Sequence, residues 1–246
     1  MLQNLTNFFN LIRTRKIKTT LADNDLIAVG TRDNTWGGNY QPTAITYANL
    51  LSEIETQVLT IAAIKFTYEI GQYIPEQGGV VFHRWLSDSA FGEPTSGSVE
   101  NYLVVDTTDV STGAQWATLN FNIGIADSTW NGPLNTQTCF AAETSPVTGI
   151  VPGVASWLCY TSTNNGKDDW YLPAVDELSK LWHNRWEVAR GLIAAGGTQI
   201  AINDYWSSTQ EDADYVFTFT FIGGSAGSGG NKQTSLHVRA VRTFSI

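Results

Sequence analysis

Residues 155–181 read ASWLCYTSTNNGKDDWYLPAVDELSKL, and this stretch carries the clearest helix signal in the chain. Pro173 stands where a first helical turn would begin, a position that favours proline. From there apolar residues recur at intervals of three and four until two consecutive glycines end the pattern. The stretch predicts one long helix over 173–195, with Trp170 and Leu172 packed beneath it. Its buried stripe is expected to contain Val175, Leu178, Leu181, Trp182, Trp186, Ala189, Leu192 and Ile193.

The start of this helix lacks one usual feature. If Ala174 is the residue before the first turn, it has no hydroxyl to accept a hydrogen bond from the helix. Glu177, three residues later, can still accept one from the Ala174 N–H. The sequence therefore predicts half of a capping box, with a small cost in stability.

Alternating residues near the end of the chain predict a β-hairpin. Aromatic side chains occupy every second position from 215 to 221, and apolar residues alternate again over 236–244. The glycine-rich residues 223–230 between them are predicted to form a flexible tip. Together with further predicted elements, these patterns indicate an α+β fold with mixed antiparallel sheets. The further elements are strands over 60–68, 80–82 and 102–105, and short helices over 135–142 and 154–160.

The composition favours a loop-rich protein that acts outside the cytosol. Of 246 residues, 42% are hydrophobic and only 15% are charged, against about a quarter in average proteins. The net charge is −9, yet residues 1–20 carry four cations and no acid, so the remainder carries −13. An acidic body argues against nucleic-acid binding. No window approaches the ~18 apolar residues of a membrane span.

The first 64 residues divide into an arm and a small module ahead of a domain over 65–246. The arm, residues 1–20, has apolar residues at helical spacing followed by a basic cluster. It is interpreted either as a docking helix for a partner or as a frayed terminus. Its basic residues follow the apolar ones, which is the wrong order for a signal peptide. The anchoring residues of a docking helix would be Leu5, Phe8, Phe9, Ile12, Arg13, Arg15 and Lys16.

The small module, residues 21–64, contains two predicted strands. One is Leu26–Val29 within DNDLIAVG, and the other is Ile45–Tyr47 within ITYANL. This short pattern resembles the N-terminal attachment modules of phage structural proteins. The resemblance implies docking onto other virion proteins.

No pattern of an enzyme or a metal site is present. The sequence lacks a G-x-S-x-G elbow, a P-loop and a Rossmann glycine pattern. Cys139 and Cys159 either pair in a disulfide or remain buried thiols, and their spacing does not suit zinc. No cofactor is predicted. Calcium stays an alternative because loop oxygen atoms are plentiful, although Glu93-Pro94-Thr95 matches a lectin calcium signature only partly.

Four blocks in order carry a second resemblance. They are 68–82 (YEIGQYIPEQGGVVF), the stretch 155–181, 205–210 (YWSSTQ) and 237–244 (HVRAVRTF). This arrangement is similar to the Lcl-type C-terminal domain of collagen-like bacterial adhesins. The resemblance implies a C-type-lectin-like fold distantly akin to the formylglycine-generating enzymes, whose paired cysteines this chain does not reproduce.

Within that resemblance, the quoted motifs are interpreted as determinants of the fold. Trp206 is expected in the core. Arg239 or Arg242 is expected to pair with an acid such as Glu177 or Asp176.

Any ligand is expected on the polar loops that flank these motifs. The predicted function is a virion surface protein that displays the domain to a host glycan or protein, as a homotrimer. A purely structural capsid decoration or fibre protein with no ligand and a secreted bacterial adhesin at the cell surface are the alternatives. The candidate ligand-binding residues are Asn164, Asn165, Asp168, Glu211, Asp212, Ser225, Asn231 and Lys232.

Overall fold

A computed structural model describes part of the chain, which divides into two units between Lys65 and Phe66. The predicted arm with all its anchoring residues lies outside the described residues, as does the Glu93-Pro94-Thr95 tripeptide. Within the described ranges, no helix combines the length and apolar composition needed to span a bilayer. The described residues are 26–31, 41–46, 66–87, 99–143 and 153–246.

The first unit contains an antiparallel pair of strands. β1 (Leu26–Thr31) pairs with β2 (Gln41–Thr46), so that Leu26 lies opposite Thr46. The predicted strand at Leu26–Val29 is confirmed. The second strand begins four residues earlier than predicted and ends at Thr46.

The described residues of the second unit form two sheets and four α-helices. The strands are β3 (Tyr73–Ile74), β4 (Gly79–Leu86), β5 (Glu100–Asp106), β6 (Ser111–Ala114), β7 (Asp204–Gln210), β8 (Tyr215–Thr220), β9 (Ser225–Asn231), β10 (Leu236–Val238) and β11 (Val241–Ser245). The helices are α1 (Gly132–Glu143), α2 (Ala155–Tyr160), α3 (Val175–His183) and α4 (Arg185–Ala194). One sheet has the strand order β11-β5-β4-β3 and the other β6-β10-β7-β8-β9, and among these strands only the β7–β10 pair is parallel.

The mixture of helices and antiparallel sheets agrees with the predicted α+β class. Strands β4 and β5 and helices α1 and α2 lie where the sequence predicted them. The strand predicted over 60–68 differs, since its described residues 66–68 are not in a strand.

The four-stranded sheet is buried on both faces. Val80 and Phe82 on β4 belong to a core cluster with the stripe of α3, whereas Val81 belongs to a cluster on the opposite face. Strand geometry sends successive side chains to opposite faces. This sheet therefore forms a central layer that α3 and α4 cover on one side.

The predicted long helix is two helices, which corrects the prediction over 173–195. At Asn184 the backbone leaves helical geometry, with φ −102° and ψ 16°. Its side-chain amide donates to the Phe82 carbonyl of β4, 2.9 Å away. The break shifts the phase of the helical stripe, so Trp186 is 65% exposed and Ile193 71% exposed, although both were predicted to be buried.

Trp170 and Leu172 do not pack beneath this helix pair as predicted. Both are buried in a second core cluster with Trp206, and the side chain of Thr136 on α1 exchanges hydrogen bonds with the Leu172 backbone. Tyr171 between them points to the cluster of α3. The alternation of an extended segment explains the division. The prediction that Trp206 is core is confirmed.

The predicted terminal hairpin also differs. Most of residues 223–230, expected to be a flexible tip, belong to strand β9 (Ser225–Asn231), which pairs with β8. The return segment 236–244 divides into β10 and β11, which belong to different sheets. Glycine allows this close pairing, because a Cβ at Gly230 would collide with side chains of Thr218 and Trp206.

The start of α3 has the predicted half capping box. The Ala174 N–H donates to Glu177 Oε2 at 2.7 Å, and no side chain of Ala174 caps the helix. A neighbouring strand compensates, since Thr209 Oγ1 of β7 accepts from the Val175 N–H at 3.1 Å.

Candidate functional site

Arg239 and Arg242, the two arginines of the block at 237–244, each form an ion pair with a carboxylate, but neither pairs with Glu177 or Asp176 as predicted. Arg239 is buried and its Nε lies 2.5 Å from Asp109 Oδ1. Arg242 contacts Asp169 through two hydrogen bonds of 2.5 and 2.6 Å. The prediction of Glu177 or Asp176 was wrong because the strand β11 directs Arg242 toward the loop before α3 rather than toward the helix.

Glu177 is a buried carboxyl group with other partners. Its Oε1 accepts from the Tyr171 hydroxyl at 2.8 Å, and its Oε2 accepts from the Ala174 N–H. Burial raises the pKa of Glu177 to about 8, because the hydrogen bonds from Ala174 and Tyr171, which favour the charged form, offset only part of the cost of desolvating it. Glu177 therefore supports the fold beneath the loop that carries Asp169.

The side chains of Asn164 and Asn165, predicted as ligand contacts, form hydrogen bonds that stabilise their own loop. Their side-chain amides donate to the buried carboxylate of Asp106, at 2.6 and 3.1 Å. Asn165 also donates to the Gly78 carbonyl at 2.8 Å and has φ 53°, in the left-handed region. Burial raises the pKa of Asp106. These contacts fix the loop that leads to Asp168.

Lys232, predicted as a ligand contact on a flexible tip, is completely buried. Its Nζ lies 2.8–3.0 Å from the carbonyl oxygens of Phe121, Asp212 and Ala213 and from Gln210 Oε1. Burial lowers the pKa of Lys232 to about 8. The prediction was wrong because the pairing of β9 with β8 draws Lys232 inward, where it connects the segment of Phe121 to residues 210–213.

The remaining predicted contacts are exposed. Glu211 accepts from the Gly229 N–H at 2.9 Å, and Asp212 accepts from two backbone N–H groups of its own turn. Ser225 and Asn231 lie at the two ends of β9. Among the described residues, no hydrogen bond joins this group to the loop of Asn164 and its neighbours, and none of the four residues lines the pocket that contains Asp168.

Of the predicted ligand-binding residues, Asp168 lies in a cleft that has a volume of about 450 Å³. The exposed ring of Tyr160 forms one wall and is stacked on Phe140, with ring centroids 4.2 Å apart. Asp169 is held in place by Arg242. The cleft is lined by Pro133, Gln137, Tyr160, Asp168, Asp169, Trp170, Tyr171 and Thr243.

Tyr160 and Gln137 were not predicted as site residues. Both belong to short helices whose side chains the sequence assigned to packing, and α1 and α2 meet at this cleft only in the folded chain. Aromatic residues at the end of a predicted helix gave no signal that distinguished Tyr160 from core residues.

The two cysteines are buried thiols, without a disulfide between them. Both belong to the cluster that contains Trp170 and Trp206. Burial raises the pKa of Cys159, and the nearby Asp106 carboxylate adds to the effect. Within the described parts of the chain, no group of three or more His, Cys, Asp or Glu side chains could hold a metal ion.

Comparison with protein families gives a match to the Lcl C-terminal domain over residues 106–242. The chain belongs to the Lcl C-terminal domain family. The matched range runs from the end of β5 to β11 and contains both arginine–carboxylate pairs and the cleft residues Tyr160 and Asp168. The block at 68–82 lies outside it, although β3 and β4 complete the central sheet of this Lcl C-terminal domain.

A fimbrial protein of known structure is similar to this chain over part of its length. It comes from Bacteroides ovatus, with 16% identity and a TM-score of 0.46. The similar region covers 57% of this chain and 35% of the fimbrial protein, about a third of its length. No curated protein matches the chain.

Proposed function

We propose that this chain is a non-catalytic attachment protein whose Lcl C-terminal domain binds a glycan in the Asp168 cleft. The observation that carries the proposal is the composition of the cleft. An exposed aromatic ring, two carboxylates, an amide and a hydroxyl surround one space of about 450 Å³. Such a mixture of an apolar platform with a few oriented polar groups is typical of small-molecule sites.

The chemistry suits a ligand rich in hydroxyl groups. The ring of Tyr160 offers a flat apolar surface for one face of a sugar, while Asp168 can accept hydrogen bonds from its hydroxyls. Gln137 can both donate and accept. Arg242 restrains Asp169, and a restrained wall lowers the entropy lost on binding.

The same geometry argues against hydrolysis. A glycosidase needs two carboxyl groups on opposite sides of the scissile bond, about 5 Å or more apart. Asp168 and Asp169 are consecutive, and the Asp169 carboxylate is engaged by Arg242. We propose no catalytic residue, no resident cofactor and no nucleic-acid partner.

We further propose that the domain has a C-type-lectin-like fold and is displayed on a virion surface as a homotrimer. The support is the likeness of the four sequence blocks to collagen-like adhesins, and of the DNDLIAVG and ITYANL segments to phage attachment modules. The arm and module would then bind other virion proteins. A decoration protein without ligand and an adhesin on a bacterial surface are the alternatives.

The glycan proposal is tested with the full chain on a glycan array. We expect saturable binding that Y160A and D168N each weaken by about tenfold or more. The matched controls are Y215A, whose ring is 41% exposed like that of Tyr160 but lies outside the cleft, and D127N. Equal losses in the controls, or no binding by the full chain, would reject the cleft as a glycan site.

The display proposal is tested separately by mass spectrometry of purified particles. We expect the chain in intact virions, in a fixed ratio to the capsid protein. Its absence from particles would reject the virion proposal and leave the adhesin alternative. Its presence, with normal adsorption after deletion and no glycan binding, would favour decoration.

A further inference from the structure

A second concave surface lies away from the Asp168 cleft, where α4 meets the ends of β7 and β8. We define it as the indole groove, with a volume of about 330 Å³. Eight of its ten lining residues are apolar, and several are largely exposed. The groove is lined by Trp182, Arg185, Trp186, Ala189, Gln199, Ile200, Ala201, Ile202, Phe221 and Ile222.

The groove has fixed walls. The Trp182 indole N–H points to the Phe221 carbonyl at 3.4 Å, and a Cβ at Gly224 would collide with that indole, so the β8–β9 turn lies flat against it. On the other side, the Gln199 amide donates to the Ala189 carbonyl at 3.2 Å. These contacts on its two sides keep the groove open.

Arg185 gives the groove its charge. Its guanidinium lies 3.9 Å from the Trp182 ring centre and 4.9 Å from that of Trp186. One of its nitrogen atoms donates to the Trp182 carbonyl at 2.9 Å. Among the described residues, no carboxylate lies within ion-pairing distance of Arg185. A cation that two indoles orient, with donors left over, is suited to a carboxylate.

We propose that the indole groove binds a short segment of a partner protein in which a carboxylate side chain is flanked by apolar side chains. The apolar groups would cover Trp186, Ile202 and Ile222, and the carboxylate would pair with Arg185. An apolar patch of this kind marks an interaction site on soluble proteins.

Two other occupants fit less well. A sugar would lose hydrogen bonds against walls that are mostly apolar. A second copy of the chain would need a wider contact, since stable interfaces engage about 20–30 residues on each side and the groove offers ten. A short peptide segment matches its size.

The test uses the full chain and three labelled synthetic peptides that alternate Leu and Phe with Glu, with Gln or with Lys. Fluorescence anisotropy is expected to give saturable binding of the Glu peptide, about tenfold weaker binding of the Gln peptide and none of the Lys peptide. W186A should abolish binding, and R185Q should reduce the affinity for the Glu peptide to that for the Gln peptide. The control I125S removes an isoleucine that is 64% exposed outside the groove and should change nothing.

Thermal unfolding of W186A and R185Q verifies that both variants fold, and R185K, which keeps the charge, should retain the preference for Glu over Gln. Equal affinity for the Glu and Gln peptides, or no saturable binding of any peptide, would overturn the proposal. Self-association of the full chain that W186A abolishes would also overturn it and identify a second copy as the occupant.

Discussion

The guanidinium of Arg242 donates hydrogen bonds to both carboxylate oxygens of Asp169, with Nε 2.5 Å from Oδ1 and Nη2 2.6 Å from Oδ2. The pair joins β11 to the loop before α3, and Asp169 is one of the residues that line the Asp168 cleft. The neighbouring carboxylate of Asp168 is exposed. Two consecutive acids therefore have different roles, one in structure and one in the proposed binding.

This difference predicts opposite results for two matched variants. D169N should lower the free energy of unfolding by about 1–2 kcal/mol, because a charge-assisted pair is lost from a half-exposed site. D168N should change the free energy of unfolding by less than about 0.5 kcal/mol, while it weakens the binding of the glycan. Urea unfolding measures both, and equal stability of the two variants would contradict the assignment.

Glu177 predicts a pH dependence of stability. The native state holds its proton up to about pH 8, whereas an exposed glutamate releases it near pH 4.5. Its stabilising contribution is therefore full below about pH 4.5 and is lost as the pH rises to about 8. E177Q can donate to Tyr171 and accept from Ala174 without titrating. Its stability relative to the wild type should rise across this window, by an amount on the order of 2–4 kcal/mol.

Urea unfolding at pH 5 and pH 8 measures the effect. The control is E187Q, which removes an exposed ion pair with Arg190 and should shift stability by less than about 0.5 kcal/mol at both pH values. Parallel curves for E177Q and the wild type would show that Glu177 does not titrate in this range.

Lys232 predicts a large loss on removal of its charge. K232M keeps most of the volume but leaves four oxygen acceptors without their donor, one of them on the buried Gln210, so the free energy of unfolding should fall by about 1–3 kcal/mol. K167M, at a partly exposed lysine, is the control and should cost less than about 0.5 kcal/mol. Similar unfolding midpoints for the two variants would contradict an internal role for Lys232.

Gly224 and Gly166 separate backbone strain from steric collision. Both have φ +71°, but only at Gly224 would a Cβ meet another group, the Trp182 indole. G166A should cost about 1 kcal/mol from strain alone, and G224A about 2–4 kcal/mol because the turn must move. Thermal unfolding compares them. An equal loss would mean that the β8–β9 turn yields freely and does not form a fixed wall of the indole groove.

The local pattern of the chain was sufficient for several elements. The apolar run in β5 and the short helices α1 and α2 depend on neighbours in sequence, and the structure agrees with them, whereas α3 begins at Val175, two residues after the proline that was expected in its first turn. The buried position of Trp206 and the half capping box at Ala174 also follow from local chemistry. Membership of the Lcl C-terminal domain family agrees with the motifs from which it was inferred.

Contacts between distant residues decided the remainder. The helix stripe predicted through Trp186 is interrupted because Asn184 bonds to the Phe82 carbonyl on a strand that lies 102 residues earlier. The glycine-rich tip became a strand because β8 offered it a partner, and this pairing buried Lys232. Arg242 paired with Asp169, and Gln137 came to line one cleft with Asp168, only when separate segments folded together. The sequence by itself determined most of the segments that form helices and strands, since that depends on local periodicity. Only the tertiary structure decided where the long helix breaks, that the glycine-rich segment is a strand, which charges are paired and which aromatic rings stay exposed, because these depend on groups far apart along the chain.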